Sequence, residues 1–458
     1  MSDESSDEAV VVVPVVSPKK KKKSKKEKKE KKEKKEKKSK KKRKKSEGSS
    51  DSEDASAPAK KPRVTEDATS TEVVPRRRTR SFDAAEALKK EAAALPADAA
   101  GNPAIGSPQF DLSPQTIAAL LKKGITHMYP IQAQTFPVIF RGGDIIGRAR
   151  TGQGKTLGFA LPIIERILRE PSKRVSGIRG GMHKVPSAII LSPTRELARQ
   201  IAEDFTAIAP SLSHICIYGG AAYGPQISAL QRGVDIIVGT PGRVVDHLAS
   251  GRVDMTGVKF FVLDEADQML DMGFQPELDK VFDALDAGTV AVDNHGTKSY
   301  QILLFSATLP AWVNRVAQQR LEKGFKTVDL VKGQKSKAAT QVQHLVMRCP
   351  WQTRPNVIND MLTVHADGGE TRAIVFCDTK KDCNELSVDS RLKYDCRTLH
   401  GDIPQKQREV TMKAFKDGAY KVLIATDVAA RGLHVEDVGL VINFAPPSTR
   451  SGYADTET

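Results

Sequence analysis

The chain has 458 residues with 72 Lys and Arg against 56 Asp and Glu, a formal charge of +16, which leaves room for two or three domains and at least one large core. No apolar run approaches the roughly 20 residues needed to span a bilayer, so composition excludes a membrane-spanning helix and points to a soluble intracellular chain. The five cysteines form no CxxC pair and match no histidine spacing, which predicts free thiols in a reducing compartment and gives little support to a zinc site.

The charge is unevenly placed. Residues 1–80 carry 28 basic and 15 acidic side chains, whereas the remainder carries 44 and 41. Residues 9–16 are a short apolar patch between an acidic start and a lysine run, the reverse of a secretory signal. Lys-Lys-Glu then repeats four times between Lys25 and Glu36 with no apolar stripe to bury, so disorder is the expectation for 1–105. Ser49-Ser50-Asp51-Ser52-Glu53-Asp54 resembles an acidophilic-kinase site, and Lys60-Lys61-Pro62-Arg63 and Arg76-Arg77-Arg78-Thr79-Arg80 are basic clusters. A solvated spacer is the plain reading. Targeting to the nucleus or nucleolus, with attraction to a polyanion by counterion release, is the functional one.

From about Phe110 short apolar runs alternate with amphipathic helical stretches. The runs 144–146, 188–191, 214–218, 235–238, 260–263 and 302–305 read as strands buried on both faces of a parallel α/β sheet. Leu197, Ile201, Phe205 and Ile208 lie at helical spacing within 195–208. After a polar stretch at 331–342, runs at 373–376, 397–399, 422–425 and 440–443 form a second set. The expected domains are a lysine-rich tail (1–105), an α/β unit (106–330), a linker (331–342) and a second α/β unit (343–458).

In parallel sheets ligands sit beyond the carboxyl ends of the strands, and here polar motifs follow the runs directly. Ala149-Arg150-Thr151-Gly152-Gln153-Gly154-Lys155-Thr156 follows the 144–146 run. Gly152 and Gly154 let backbone N–H groups curl toward phosphate oxygens, Lys155 supplies a charge for the β- and γ-phosphates, and Thr156 supplies a hydroxyl for Mg²⁺. Ala149 stands where the usual pattern has Gly. The run 260–263 ends in Asp264-Glu265-Ala266-Asp267. Adjacent carboxylates at a buried strand end call for a cation, with Asp264 on the metal and Glu265 on the attacking water. The alternative is that these acids cap the following helix.

Asp264-Glu265-Ala266-Asp267 resembles the name-giving signature of the DEAD-box RNA helicases, and further motifs follow in that family's order across 110–447. The resemblance implies two RecA-like parallel-sheet domains in tandem. It implies that Gln132, within GITHMYPIQ, reads adenine while an aromatic stacks on the base, Phe110 or Tyr129 being at hand; Tyr129 replaces the commoner Thr or Ser. It places Pro193, Thr194, Arg195, Gly219, Gly220, Thr240, Pro241, Gly242 and Arg243 on RNA backbone from the first lobe. It makes Ser306, Ala307 and Thr308 the coupling motif. In the second lobe, residues 376–380, 400–402 and 425–432 match, Gln405, Arg408 and Thr426 face RNA, and Asp427 and Arg431 face ATP. Met128–Ala133 and the lysine-rich tail resemble the nucleolar Gu-type branch.

Two departures are visible. The sequence ends at Thr458 without the HRxGRxGR motif, two of whose arginines reach the γ-phosphate in the family, so the second lobe reads as incomplete and slow turnover is expected. His434 stands where the family usually carries Asp. The expected function is ATP-dependent local unwinding of RNA with Mg²⁺ as cofactor, backbone-only RNA contacts, ribosome-assembly proteins as partners and no membrane. The alternative is an ATP- and RNA-binding scaffold with little hydrolysis, and DNA unwinding is a third.

Overall fold

A computed structural model describes residues 10–16, 79–176, 182–288, 299–332, 342–366, 371–426, 435 and 437–445. Its strands in chain order are β1 (Val10–Val16), β2 (Ile145–Arg148), β3 (Arg174–Ser176), β4 (Met182–Lys184), β5 (Ala188–Leu191), β6 (His214–Ile217), β7 (Ile236–Gly239), β8 (Phe260–Leu263), β9 (Gln301–Ser306) and β10 (Lys326–Asp329). They are followed by β11 (Val342–Arg348), β12 (Arg372–Cys377), β13 (Cys396–Leu399), β14 (Val422–Thr426) and β15 (Val438–Asn443).

The first sheet has the order β10-β2-β9-β8-β5-β7-β6, and every neighbouring pair is parallel. Its central strands are buried along their whole length: Ala-Ile-Ile-Leu in β5 and Phe-Phe-Val-Leu in β8. Helices cover both faces, as such continuous apolar strands require. One side packs Phe159, Ile163 and Phe205, and the other Val281, Phe282 and Leu285. The two RecA-like sheets expected from the sequence are present.

The second sheet has the order β11-β1-β15-β12-β14-β13. Strands β15, β12, β14 and β13 are parallel, and β1 runs antiparallel to both β11 and β15. This corrects the expectation of a tail without folded elements through residue 105. Residues 10–16, read as a mere apolar patch, form an inner strand, because β-branched valines suit a pleated ladder despite Pro14. A helix also spans Thr79–Ala93, and Ala92 and Ile105 are buried in the first lobe's core. The lysine-rich run, the acidic serine cluster and the first three arginines of the second basic cluster lie outside the described residues.

One buried carboxylate ties the far edge of the first sheet together. Asp235, just before β7, accepts from the Ser213 backbone at 2.8 Å, the Ser213 hydroxyl at 2.7 Å and Lys184 Nζ at 2.7 Å. Burial pushes its carboxyl up, but the bonds from Lys184, Ser172 and Ser213 together bring it below its ordinary value. An acid lowered by folding contributes stability present above the unfolded pKa of about 3.9 and lost as pH falls through the folded one. Asp235→Ala is therefore expected to cost about 1–3 kcal/mol at neutral pH, since it removes the shared acceptor of a part-buried set of donors. The loss should shrink below about pH 4, and denaturant unfolding at the two pH values checks it.

Candidate active site

Strands β2, β9 and β8 lie side by side, so their carboxyl ends bring three motifs to one rim. The loop after β2 starts at Ala149, whose N–H donates to Ser306 O at the end of β9 (3.2 Å). Arg150 N–H donates to Gln153 Oε1 (3.0 Å) and closes the loop on itself. Gly154 then takes φ +77°, as the cap of the helix Lys155–Arg169. A Cβ there would collide with the Gln132 amide and lie 2.9 Å from the Tyr129 ring, so only glycine fits. The helix N-terminus presents its unpaired N–H groups to the rim, the arrangement that receives phosphate.

Lys155 is buried, and its Nζ donates to Ala149 O at 2.9 Å. An ammonium resting on a carbonyl of its own loop is positioned for an anionic ligand. Thr156, beside it, is half-buried.

Asp264 follows β8 and is 2% exposed. Burial pushes its carboxyl up to about 6, against the opposing pull of the Lys155 charge. Among the described residues no ion pair closes on Asp264, and its Oδ1 accepts only the Glu265 N–H, at 3.0 Å. A buried carboxylate with an ammonium nearby is the chemistry that a hard cation held between protein and phosphate calls for. No group of three or more metal-ligating side chains occurs among the described residues. Glu265 takes φ +53°, unusual for a non-glycine residue, and strain of this kind concentrates at functional sites.

Asp267 extends the site toward β9. Its Oδ2 accepts from Thr308 N–H at 2.8 Å and from the Thr308 hydroxyl at 2.7 Å, while Ser306 Oγ donates to Thr308 O at 2.6 Å. Ser306-Ala307-Thr308, the stretch expected to couple, is thus hydrogen-bonded to the strand end that carries Asp264. Ala307 O is also held, by Arg148 Nε at 3.3 Å.

Gln132 bridges two elements. Its Oε1 accepts the Tyr129 N–H (2.9 Å) and its Nε2 donates to Gly154 O (3.0 Å), which pins the helix Pro130–Phe140 to the phosphate loop. Phe110, expected beside the adenine base, is instead fully buried and packs edge-on against Phe136 with centroids 5.6 Å apart. Tyr129, 53% exposed, is the aromatic at the rim.

The expected RNA contacts of the first lobe also lie at strand ends. Thr194 caps the helix Arg195–Ile208 by accepting from Leu197 N–H, after Pro193. Gly219 and Gly220 follow β6, and Arg195 lies against Gly220. Thr240, Pro241 and Gly242 open the helix Pro241–Ala249 after β7. Arg243 is held at 3.9 Å over the Tyr223 ring and donates to Ala221 O at 3.1 Å. Burial, with Arg408 and Arg243 nearby, lowers the pKa of Arg195, so an anion arriving there would relieve the crowding of charge.

Gln405 and Arg408 meet first-lobe side chains. Arg195 donates to Gln405 Oε1 at 2.9 Å, and Arg408 pairs with Glu196 at 3.0 Å. Glu196 was not singled out in the sequence, although it stands inside a motif run. Thr426 ends β14. Asp427, Arg431 and His434 lie outside the described residues.

A family model described as DEAD/DEAH box helicase matches residues 129–316, and one described as helicase conserved C-terminal domain matches 354–456. The Homo sapiens protein named ATP-dependent RNA helicase DDX50 is 46% identical over 344 residues, which are 75% of this chain and 45% of that one. Nucleolar RNA helicase 2 of Rattus norvegicus is 44% identical over 344 residues, 75% of this chain and 42% of its own. The chain therefore spans somewhat less than half the length of these relatives. A point variant of S. cerevisiae Dbp5 bound to RNA and ADP BeF3 is similar with a TM-score of 0.60 at 25% identity, covering 74% of this chain and 81% of that one. Mss116p, with its NTE and C-tail deleted and bound to ssRNA and AMP-PNP, shares the fold with a TM-score of 0.61 at 24% identity, over 75% of this chain and 70% of its own. With Lys155 after β2 and Asp264 after β8, strands separated only by β9, and both family models laid along the chain in order, this protein belongs to the DEAD-box helicases.

Proposed function

We propose that the chain is an ATP-dependent RNA helicase that remodels short RNA duplexes during nucleolar ribosome assembly. The observation that carries this reading is the meeting of Lys155, Asp264 and the Asp267–Thr308 bonds at one rim. Lys155 and the loop N–H groups hold the β- and γ-phosphates, and Thr156 and Asp264 hold Mg²⁺, which neutralises phosphate charge when bound. Glu265 orients the attacking water and takes its proton as the γ-phosphoryl leaves the β-phosphate. Tyr129 and Gln132 border the base. Asp427 and Arg431 supply second-lobe contacts to the nucleotide.

RNA lies along Thr194, Arg195, Gly219, Gly220, Thr240, Gly242 and Arg243, with Gln405, Arg408 and Thr426 opposite. Backbone amides, hydroxyls and arginines recognise phosphate and sugar, so sequence preference is low. The crowding of Arg195, Arg408 and Arg243 supports a polyanion there. The relatives' names supply the nucleolar setting, and the basic runs of the N-terminal region agree with it.

The test measures phosphate release with and without RNA, together with displacement of one strand of a short RNA duplex. RNA-stimulated turnover with displacement supports the reading, and their joint absence sinks it. The contribution of the basic run is tested by excising residues 17–79, which keeps β1 in the chain. RNA affinity should fall and its salt dependence should become shallower.

A further inference from the structure

Two helices, one from each lobe, meet first turn to first turn. Arg195–Ile208 presents Arg195, Glu196 and Arg199, and Gln405–Lys416 presents Gln405, Arg408 and Glu409. Spacings of three and four residues put each trio on one helix face. Two positive helix ends and three arginines repel one another unless carboxylates intervene. Glu196 compensates Arg408, and Glu409 is the other carboxylate of the cluster.

Glu409 Oε1 gathers three donors. Arg199 approaches at 3.2 Å, the Tyr218 hydroxyl donates at 3.1 Å and Gln405 Nε2 donates at 3.3 Å. Two of these come from the first lobe, and the third is the amide whose other end accepts from Arg195 and Arg408. We propose that Glu409 is a positioning residue that clasps the second lobe to the first through Arg199 and Tyr218, and so orients Gln405, Arg195 and Arg408 toward RNA.

Neither Arg199 nor Tyr218 belongs to the set of residues assigned to RNA or ATP, so the clasp lies outside that machinery. The Tyr218 hydroxyl is pushed up to about 12, by burial first and then by the neighbouring Glu409 charge, so it remains a donor across the working pH range. Arg199 and Glu409 keep about a third of their surface in water. The clasp therefore weakens with salt and opens at modest cost.

The role in RNA handling rests on the helicase reading; the contact between lobes does not. The experiment uses the full chain carrying Glu409→Arg, Arg199→Glu, or both. A single-stranded oligouridylate gives the half-saturating RNA concentration and the saturated turnover, and small-angle scattering gives the radius of gyration without RNA. Each single variant is expected to raise the half-saturating RNA concentration about three- to tenfold, with saturated turnover held, and to enlarge the radius. The double variant, with the charges exchanged, restores the ion pair but not the bonds from Tyr218 and Gln405, so it should recover both in part. Singles indistinguishable from wild type, or a double as impaired as its singles, overturn the clasp. Tyr218→Phe, which alters no charge, should raise the RNA requirement about twofold, and no change there counts against the proposal. Should the wild-type chain lack RNA-stimulated turnover, the helicase reading falls, while recovery of the radius in the double variant still decides the clasp.

Discussion

Lys155→Ala is expected to lower ATP turnover by about 10²–10³-fold, the usual effect of deleting one preorganised charge at a reacting phosphate or acyl group. The reason lies in how little else can substitute. Lys155 is buried at the first position of its helix, fixed on Ala149 O, and its charge is what opposes the protonation of Asp264. Removing it weakens phosphate binding and leaves Asp264 more readily protonated, hence a poorer metal ligand. Lys155→Arg should not rescue activity, because a planar fork does not fit a space shaped for a compact ammonium. Phosphate-release kinetics and binding of a nucleotide analogue check both variants, and far-UV circular dichroism shows that the fold is retained. Turnover within a fewfold of wild type would remove Lys155 from the site.

Phe305→Ala is expected to destabilise the first lobe by about 3–5 kcal/mol. Phe305 is fully buried in β9, edge-on to Phe159 with centroids 5.2 Å apart. The ring lies where a side chain on Gly147 would reach; a Cβ there would stand 2.7 Å from it. With glycine opposite, nothing can collapse into the space the ring vacates, so the cavity cost is nearly whole. The effect should also reach the site, since Gly147 leads into the phosphate loop and Ser306 O holds the Ala149 N–H. Denaturant unfolding, followed through the first-lobe transition, should show the loss along with weaker nucleotide binding.

The first lobe was legible because burial on both faces leaves uninterrupted apolar strands. Residues 188–191 and 260–263 are strands over the residues read from the sequence. The polar residues directly after them had few other uses. Edge strands carried less signal: β10 buries only Val328, and β11 is exposed except for half-buried Val342 and Leu345, with no alternation to read. Residues 10–16 were hidden by their neighbours, since lysines on one side and acids on the other mask a strand whose partners lie far away. Phe110 marks another limit. An aromatic ahead of an adenine motif reads the same whether it stacks on a base or on Phe136. Contacts between lobes had no local signature at all, Arg195 and Gln405 being 210 residues apart.

The position of β1 has a consequence for biosynthesis. Its partners, Val342–Arg348 and Leu440, are made more than 300 residues after it. At ordinary elongation rates of about 5–20 residues per second, the valine segment waits on the order of tens of seconds before its slot exists. An unpaired β-branched segment is an aggregation hazard during such a wait, and the adjoining lysines are well placed as gatekeepers. The second sheet thus has a late, chain-spanning closing step, which makes it the slower of the two lobes to reach its native register.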